Sequence, residues 1–140
     1  MNARLIIATL ITAVVNFLLG WLVWGILLMD FYKANTTQYE GLMKDMPNLF
    51  LIFLCGILFA FLLAYIFDRW ANIRTFSKGF IAGMFLGFLI MAGFDLYLMA
   101  GMNLFNVKVI IVDIIANTIV SGILGGITAL VLGYGRKGSA

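Results

Sequence analysis

The sequence predicts an all-α membrane protein, a bundle of four transmembrane helices, and three observations carry that reading. The first is composition. Of the 140 residues 64% are apolar and only 11% are charged, and the mean hydropathy is +1.12. An ordinary soluble domain has about 45–50% apolar and about 25% charged residues. A chain this poor in charge has too little polar surface to face water on every side, so lipid is its expected solvent. The second is length. Four apolar runs, 5–29, 49–67, 79–100 and 109–133, each meet the roughly 20 residues a helix needs to cross the hydrocarbon core. The third is period: the alternating segments of about ten residues that a membrane β-barrel needs are absent. The whole chain, residues 1–140, reads as a single transmembrane domain with no room for a soluble module.

The first run follows Arg4 and extends from Leu5 to Met29. It is too long for the apolar region of a signal peptide, and Gly20-Trp21-Leu22-Val23-Trp24-Gly25 offers no small-residue cleavage site, so it reads as a retained span. The polar stretch 30–48 carries Tyr32, Tyr39, Leu42, Met43 and Met46 at roughly helical spacing, with Glu40 and Lys44 as an i,i+4 pair. A short amphipathic helix on the membrane surface fits this pattern, and so does a solvated loop. Asn35-Thr36-Thr37 matches an N-glycosylation acceptor, a pattern with meaning only in a eukaryotic secretory setting. Pro47 marks the start of the second span, with Asp45 as its candidate cap. A basic link, 68–78, precedes the third span, a tight link, 101–108, precedes the fourth, and Arg136-Lys137 close the chain.

Basic residues give the orientation. Arg4, Arg69, Arg74, Lys78, Arg136 and Lys137 lie on one side, and Lys33, Lys44 and Lys108 on the other. Six against three puts both termini inside, an N-in/C-in arrangement, with 30–48 and 101–108 outside. The bias also argues against dual topology. The basic residues are scattered at span ends rather than clustered, which leaves no footprint for nucleic acid.

Apolar burial gives little drive for helix association in lipid, so small and polar residues should choose the contacts. Rows at i+4 spacing run through every span: Thr12-Asn16-Gly20-Trp24, Gly56-Ala60-Ala64, Gly79-Gly83-Gly87 continuing through Met91 to Asp95, and Asp113-Asn117-Ser121-Gly125-Ala129-Gly133. Gly79, Gly83, Gly87, Gly122, Gly125 and Gly126 are the expected helix-packing residues, with the third and fourth rows facing each other. Glycines should meet Ala129 and Gly133 at one end, and Asp95 should meet Asp113 and Asn117 at the other. The Gly56-Ala60-Ala64 face is left as a candidate for homo-oligomer contact.

Two acidic residues interrupt the apolar runs. Asp95 lies five residues before the end of the third span and Asp113 four residues after the start of the fourth. In an antiparallel pair the two carboxyls share a depth. Brought together they resist joint ionisation, so one holds a proton or a cation lies between them. Asn117, one turn along, could bond Asp95 across the interface, and Asn16 could close the cluster from the first span. Oxygen ligands of this kind suit a hard cation better than zinc or copper. The alternative is that the aspartates face an outer vestibule or pair with Lys108, Lys33 or Lys44, and only fix helix register. Trp21, Trp24, Tyr32 and Tyr97 are the expected aromatic cluster at the outer interface. The chain has no His and a single cysteine, Cys55 inside an apolar run. This leaves no imidazole base, no nucleophile–base pair, no metal motif and no implied cofactor.

Gly20-Trp21-Leu22-Val23-Trp24-Gly25 followed by Asp30-Phe31-Tyr32 resembles a family of small bacterial four-span membrane proteins of unknown function. The Gly-rich third span at Gly79–Gly87, the polar pair Asp113 and Asn117 and the Gly-rich Gly122–Gly126 are similar to that family too. The resemblance implies the architecture, a bacterial cytoplasmic membrane as the location, and no activity. Small multidrug exporters rely on a Glu in the first span, which has no acidic residue here before Asp30, and the dual topology of small fluoride channels conflicts with the charge bias. Three functional readings follow: a non-enzymatic accessory or scaffold subunit, a small proton or cation transporter using Asp95 and Asp113, and a lipid binder using the aromatic cluster. The first is the leading expectation from the sequence.

Overall fold

A computed structural model describes residues 2–135. Helix α1 (Ala3–Leu22) runs directly into a π-helical turn, Val23–Leu27, and after a break at Leu28 the short α2 (Met29–Asn35) follows. Helix α3 (Leu49–Tyr65) also ends in a π turn, Ile66–Trp70. Helices α4 (Phe76–Gly101) and α5 (Val107–Gly133) complete the chain. Four helical stretches, Ala3–Leu27, Leu49–Trp70, Phe76–Gly101 and Val107–Gly133, are long and apolar enough to cross a membrane. The second is longer than its apolar run because the π turn carries it through Asp68 and Arg69. It stops where Asn72 adopts the left-handed region at φ 48°, and the Ile73 N–H closes onto the Phe67 carbonyl at 3.0 Å, the usual way to satisfy a helix end.

Caps set the other boundaries. Asn48, not Asp45, caps α3: its side chain accepts from the Leu51 N–H at 3.1 Å. Pro47 holds the residue before, in keeping with its missing N–H. Asn106 does the same for α5, accepting from the Val109 N–H at 3.0 Å. Replacing Asn48 with alanine should lower stability by about 1 kcal/mol, read as a shifted midpoint in reversible detergent unfolding.

The stretch after α2 is not the longer amphipathic helix that its periodicity suggests. Helix ends at Asn35, Gly41 has φ 74°, and Tyr39, Leu42, Met43 and Met46 are exposed in irregular chain. What fixes its start is the link between α4 and α5. The Thr37 N–H donates to the Leu104 carbonyl at 2.9 Å, and Thr36 pairs with Phe105 in an isolated antiparallel bridge.

The bundle is uneven. Helix α5 packs along α4 and against α1, while α3 packs mainly on α1, also touches α5 and barely reaches α4. The α4–α5 seam is the tightest. Gly79 lies against Gly125 and Ala129, Gly83 against Ser121 and Gly125, and Gly87 against Ser121, each so close that a Cβ would collide. Backbone contact of this kind is what small-residue rows provide in lipid. Gly122 and Gly126 make room for Met84 and Phe80 and for Phe76. Gly133 departs from the expected pairing and faces the backbone of Arg74 in the α3–α4 link, because α5 outlasts the glycine row of α4 there. The Gly56-Ala60-Ala64 face is not free for a second copy. All three residues are buried, and Gly56 lies under Asn16 and Ala13 of α1. Buried Thr12 and Thr128 share a hydrogen bond of 2.8 Å between α1 and α5. Around them Leu5, Leu63, Phe67, Leu124 and Leu132 form the apolar core.

Candidate functional site

The four-residue row of α1 would spread over about 120° of a straight helix, three steps of about 40°. It still faces the bundle, because each residue meets a different neighbour. Thr12 reaches Thr128, Asn16 lies over Gly56, and Trp24 turns to α5. Trp24 belongs to the π turn Val23–Leu27, whose extra residue per turn re-aims the side chains at the end of α1, as such turns often do at functional sites.

Trp24 meets Asp113. Its Nε1–H donates to Asp113 Oδ1 at 2.9 Å. The Tyr32 hydroxyl, brought back by the break before α2, donates to the same oxygen. Asn117, one turn along α5, donates from Nδ2 to Asp113 Oδ2 at 2.7 Å and to the Asp113 carbonyl at 3.0 Å. Three neutral donors thus converge on one carboxyl. Burial first, and then the Asp113 carboxylate beside it, hold the Tyr32 phenol well above its ordinary range, so it remains a donor at physiological pH.

Asp95 is the opposite case. Its exposure is only 6%, yet its Oδ2 has no hydrogen-bond partner. It shares a cavity of about 200 Å³ with Asp113 and Tyr32, walled by Met91, Phe94, Leu98, Phe105, Val109 and Ile110. Among the described residues no Lys or Arg lines this cavity. Among the described residues the ion pairs join Asp68 to Arg74 at 2.7 Å and to Arg69 at 3.7 Å. Lys108, Lys33 and Lys44 pair with neither intramembrane aspartate.

Several expectations change. Asn117 does not reach across to Asp95, because Asp113 lies one turn away on its own helix and takes both of its contacts. Asn16 does not close the aspartate cavity. It lines a second one, of about 280 Å³, together with Asn117, Trp24, Ser121 and Met91. The outer aromatic cluster divides. Trp24 and Tyr32 turn inward to Asp113, whereas Trp21 and Tyr97 are 62% and 74% exposed on the outer surface of the bundle. Trp21 is three positions from Trp24, one step off the inward row, which is the sequence signal for the split. The donor role of Trp24 and Tyr32 has no such signal, since it depends on the π turn and the break at Leu28.

The family described as "Predicted membrane protein (DUF2177)" matches residues 5–130, about nine-tenths of the chain. The chain belongs to this family. The four-span resemblance of its sequence is borne out, and the DUF2177 match covers all four spans except the ends of the first and last. No curated protein and no solved structure matches the chain.

Proposed function

We propose that this protein moves protons across its membrane, with Asp95 as the carrier and Asp113 as the fixed carboxyl beside it. One observation supports this above the rest. A carboxyl at 6% exposure keeps an unpartnered oxygen in a cavity shared with a second carboxyl that three donors satisfy. Two carboxyls in one apolar cavity resist joint ionisation. Trp24, Tyr32 and Asn117 occupy the Asp113 carboxyl, which leaves Asp95 as the group free to exchange a proton. When that proton leaves, no described residue of the wall neutralises the Asp95 carboxylate, so the site refills with a proton or a small cation. The bias of basic residues supports an orientation with this end of the bundle outside.

The protein then acts as a carrier and not as an enzyme, since its sequence has neither an imidazole nor a nucleophile–base pair. An accessory or scaffold role is the less favoured reading, because the small-residue face available for a partner is occupied by α1. A lipid site built from the outer aromatics is less favoured too, since two of the four serve Asp113.

Proteoliposomes under an imposed pH gradient test the reading. The native protein should dissipate the gradient, Asp95→Asn should reduce the rate to that of protein-free liposomes, and Asp113→Asn should slow it tenfold or more. Flux under a sodium or potassium gradient alone would make the cargo a metal cation. A native rate equal to that of empty liposomes under every gradient would reject the carrier reading.

A further inference from the structure

We propose that the second cavity, between α1, α3, α4 and α5 in the middle of the membrane, is filled with water and forms the next station of the proton path. The inference rests on the carrier reading of Asp95 and Asp113 for its place in the path, but the water-filled cavity stands on its own observations. The cavity holds about 280 Å³, against about 30 Å³ for each water in the liquid. Asn16, near the midpoint of the span Ala3–Leu27, presents its amide to it. Among the described residues that amide has no hydrogen-bond partner, and it fits there only because Gly56 has no side chain: a Cβ would come to 2.9 Å from Asn16 Nδ2. Asn117 commits its Nδ2 to Asp113, which leaves its Oδ1 as an acceptor. Ser121, whose hydroxyl lies against Gly87, also lines the cavity. An apolar cavity of this size would stay dry, but a water needs only two to four polar partners to settle. An unsatisfied amide at mid-membrane costs several kcal/mol, and water removes that cost.

The two cavities are one layer apart. Trp24 and Asn117 line the second and donate to Asp113, which lines the first. Met91 lines both. An indole and an amide fixed on a carboxylate do not relay protons readily, so the unbranched Met91 side chain is the movable part of the partition. Toward the Arg4 end the path stops. Thr12 and Thr128 satisfy each other, and Leu5, Leu63, Phe67 and Leu132 are packed to 1% exposure or less. The second cavity is therefore closed toward the Arg4 end in this conformation, and the Met91 partition separates it from the Asp95 end.

Cys55 reports on the proposal without any change to the protein, because it is exposed on the α3 wall of the cavity and is the only cysteine. Thiols react as thiolates, which require water. The full chain in sealed vesicles would be treated with the small charged reagent trimethylammonium-ethyl methanethiosulfonate. The comparison is the double variant Cys55→Ala, Leu58→Cys, which moves the thiol to a position 65% exposed on the lipid side of the same helix. Cys55 should react at least tenfold faster than the thiol at 58. Asn16→Leu should slow Cys55 toward that reference rate, while Asp95→Asn and Asp113→Asn should leave it unchanged. Equal rates at 55 and 58 in the otherwise native protein would overturn the proposal, whether or not Asn16→Leu folds. Fast labelling without proton flux would keep the water-filled cavity and reject the carrier reading of the aspartates instead.

Discussion

Replacing Asp95 with leucine should stabilise the folded protein, whereas replacing Asp113 with leucine should destabilise it. The two residues have the same side chain and share one cavity, so opposite signs would come from their partners alone. Asp95 leaves a buried oxygen unsatisfied. An intramembrane Asp costs about 2.5–3.5 kcal/mol at the bilayer centre and less toward the ends. Leucine removes that cost, and the adjoining cavity of about 200 Å³ accommodates its extra bulk. The expected gain is about 1–2 kcal/mol. Asp113 accepts from Trp24, Tyr32 and Asn117. Leucine there strands three donors, each worth about 1–3 kcal/mol if left unpaired, although interhelical hydrogen bonds in membranes average nearer about 0.6. The expected loss is about 2–3 kcal/mol. Asp113→Asn keeps an acceptor oxygen and should lose less. Reversible unfolding by SDS in mixed micelles gives all three values. A loss of similar size for both leucine variants would mean that Asp95 is structural, and the carrier reading would go with it. A gain in stability together with abolished flux at Asp95 would be the signature of a site kept for function at the expense of the fold.

The second large effect lies in the α4–α5 seam. Gly125→Leu should lower stability by about 3 kcal/mol or more, at the upper end of what overpacking costs. The reason is what a side chain would meet: the Gly79 carbonyl and the Gly83 Cα, both backbone, neither able to swing aside. Only separation of the two helices would relieve the clash, and that would open the Asp95–Asp113 cavity at the far end of the same seam. Gly93→Leu is the matched control on α4. No atom lies within 4 Å of the position a Cβ would take there, so the change should stay within about 0.5 kcal/mol of native or improve on it. Yield and melting temperature in one detergent would separate the two. Equal losses at 93 and 125 would show that the seam does not depend on backbone contact.

Most of the seam is legible in the sequence. Glycines at 79, 83 and 87 at i+4 spacing, facing Gly125 in the Ser121-Gly125-Ala129 row, have few uses in lipid except close approach, and they form the tightest contact in the bundle. The depth match of Asp95 and Asp113 is legible for a similar reason. In an antiparallel pair with a short link, distance from the link fixes depth, and the two aspartates line one cavity. The partners of those aspartates are not legible. Asn117 stands one turn from Asp113, and its place in the row suggests a bond to the other helix, but the local i,i+4 contact takes its amide first. Trp24 and Tyr32 look like interfacial aromatics because nothing in residues 21–32 marks a π turn or the break at Leu28.

Hydropathy, length and i+4 spacing are one-dimensional quantities. They suffice to make this a four-span membrane protein, to place its spans and to mark the residues that permit close approach. They cannot say which of two identical carboxyls is satisfied, that Asn16 belongs to a second cavity, or that the Gly56 face is used up inside the bundle. Those outcomes come from the packed bundle, because each depends on rotation about a helix axis. One π turn, or a slight splay of α3 from α4, changes what a side chain faces without leaving any trace in composition or period.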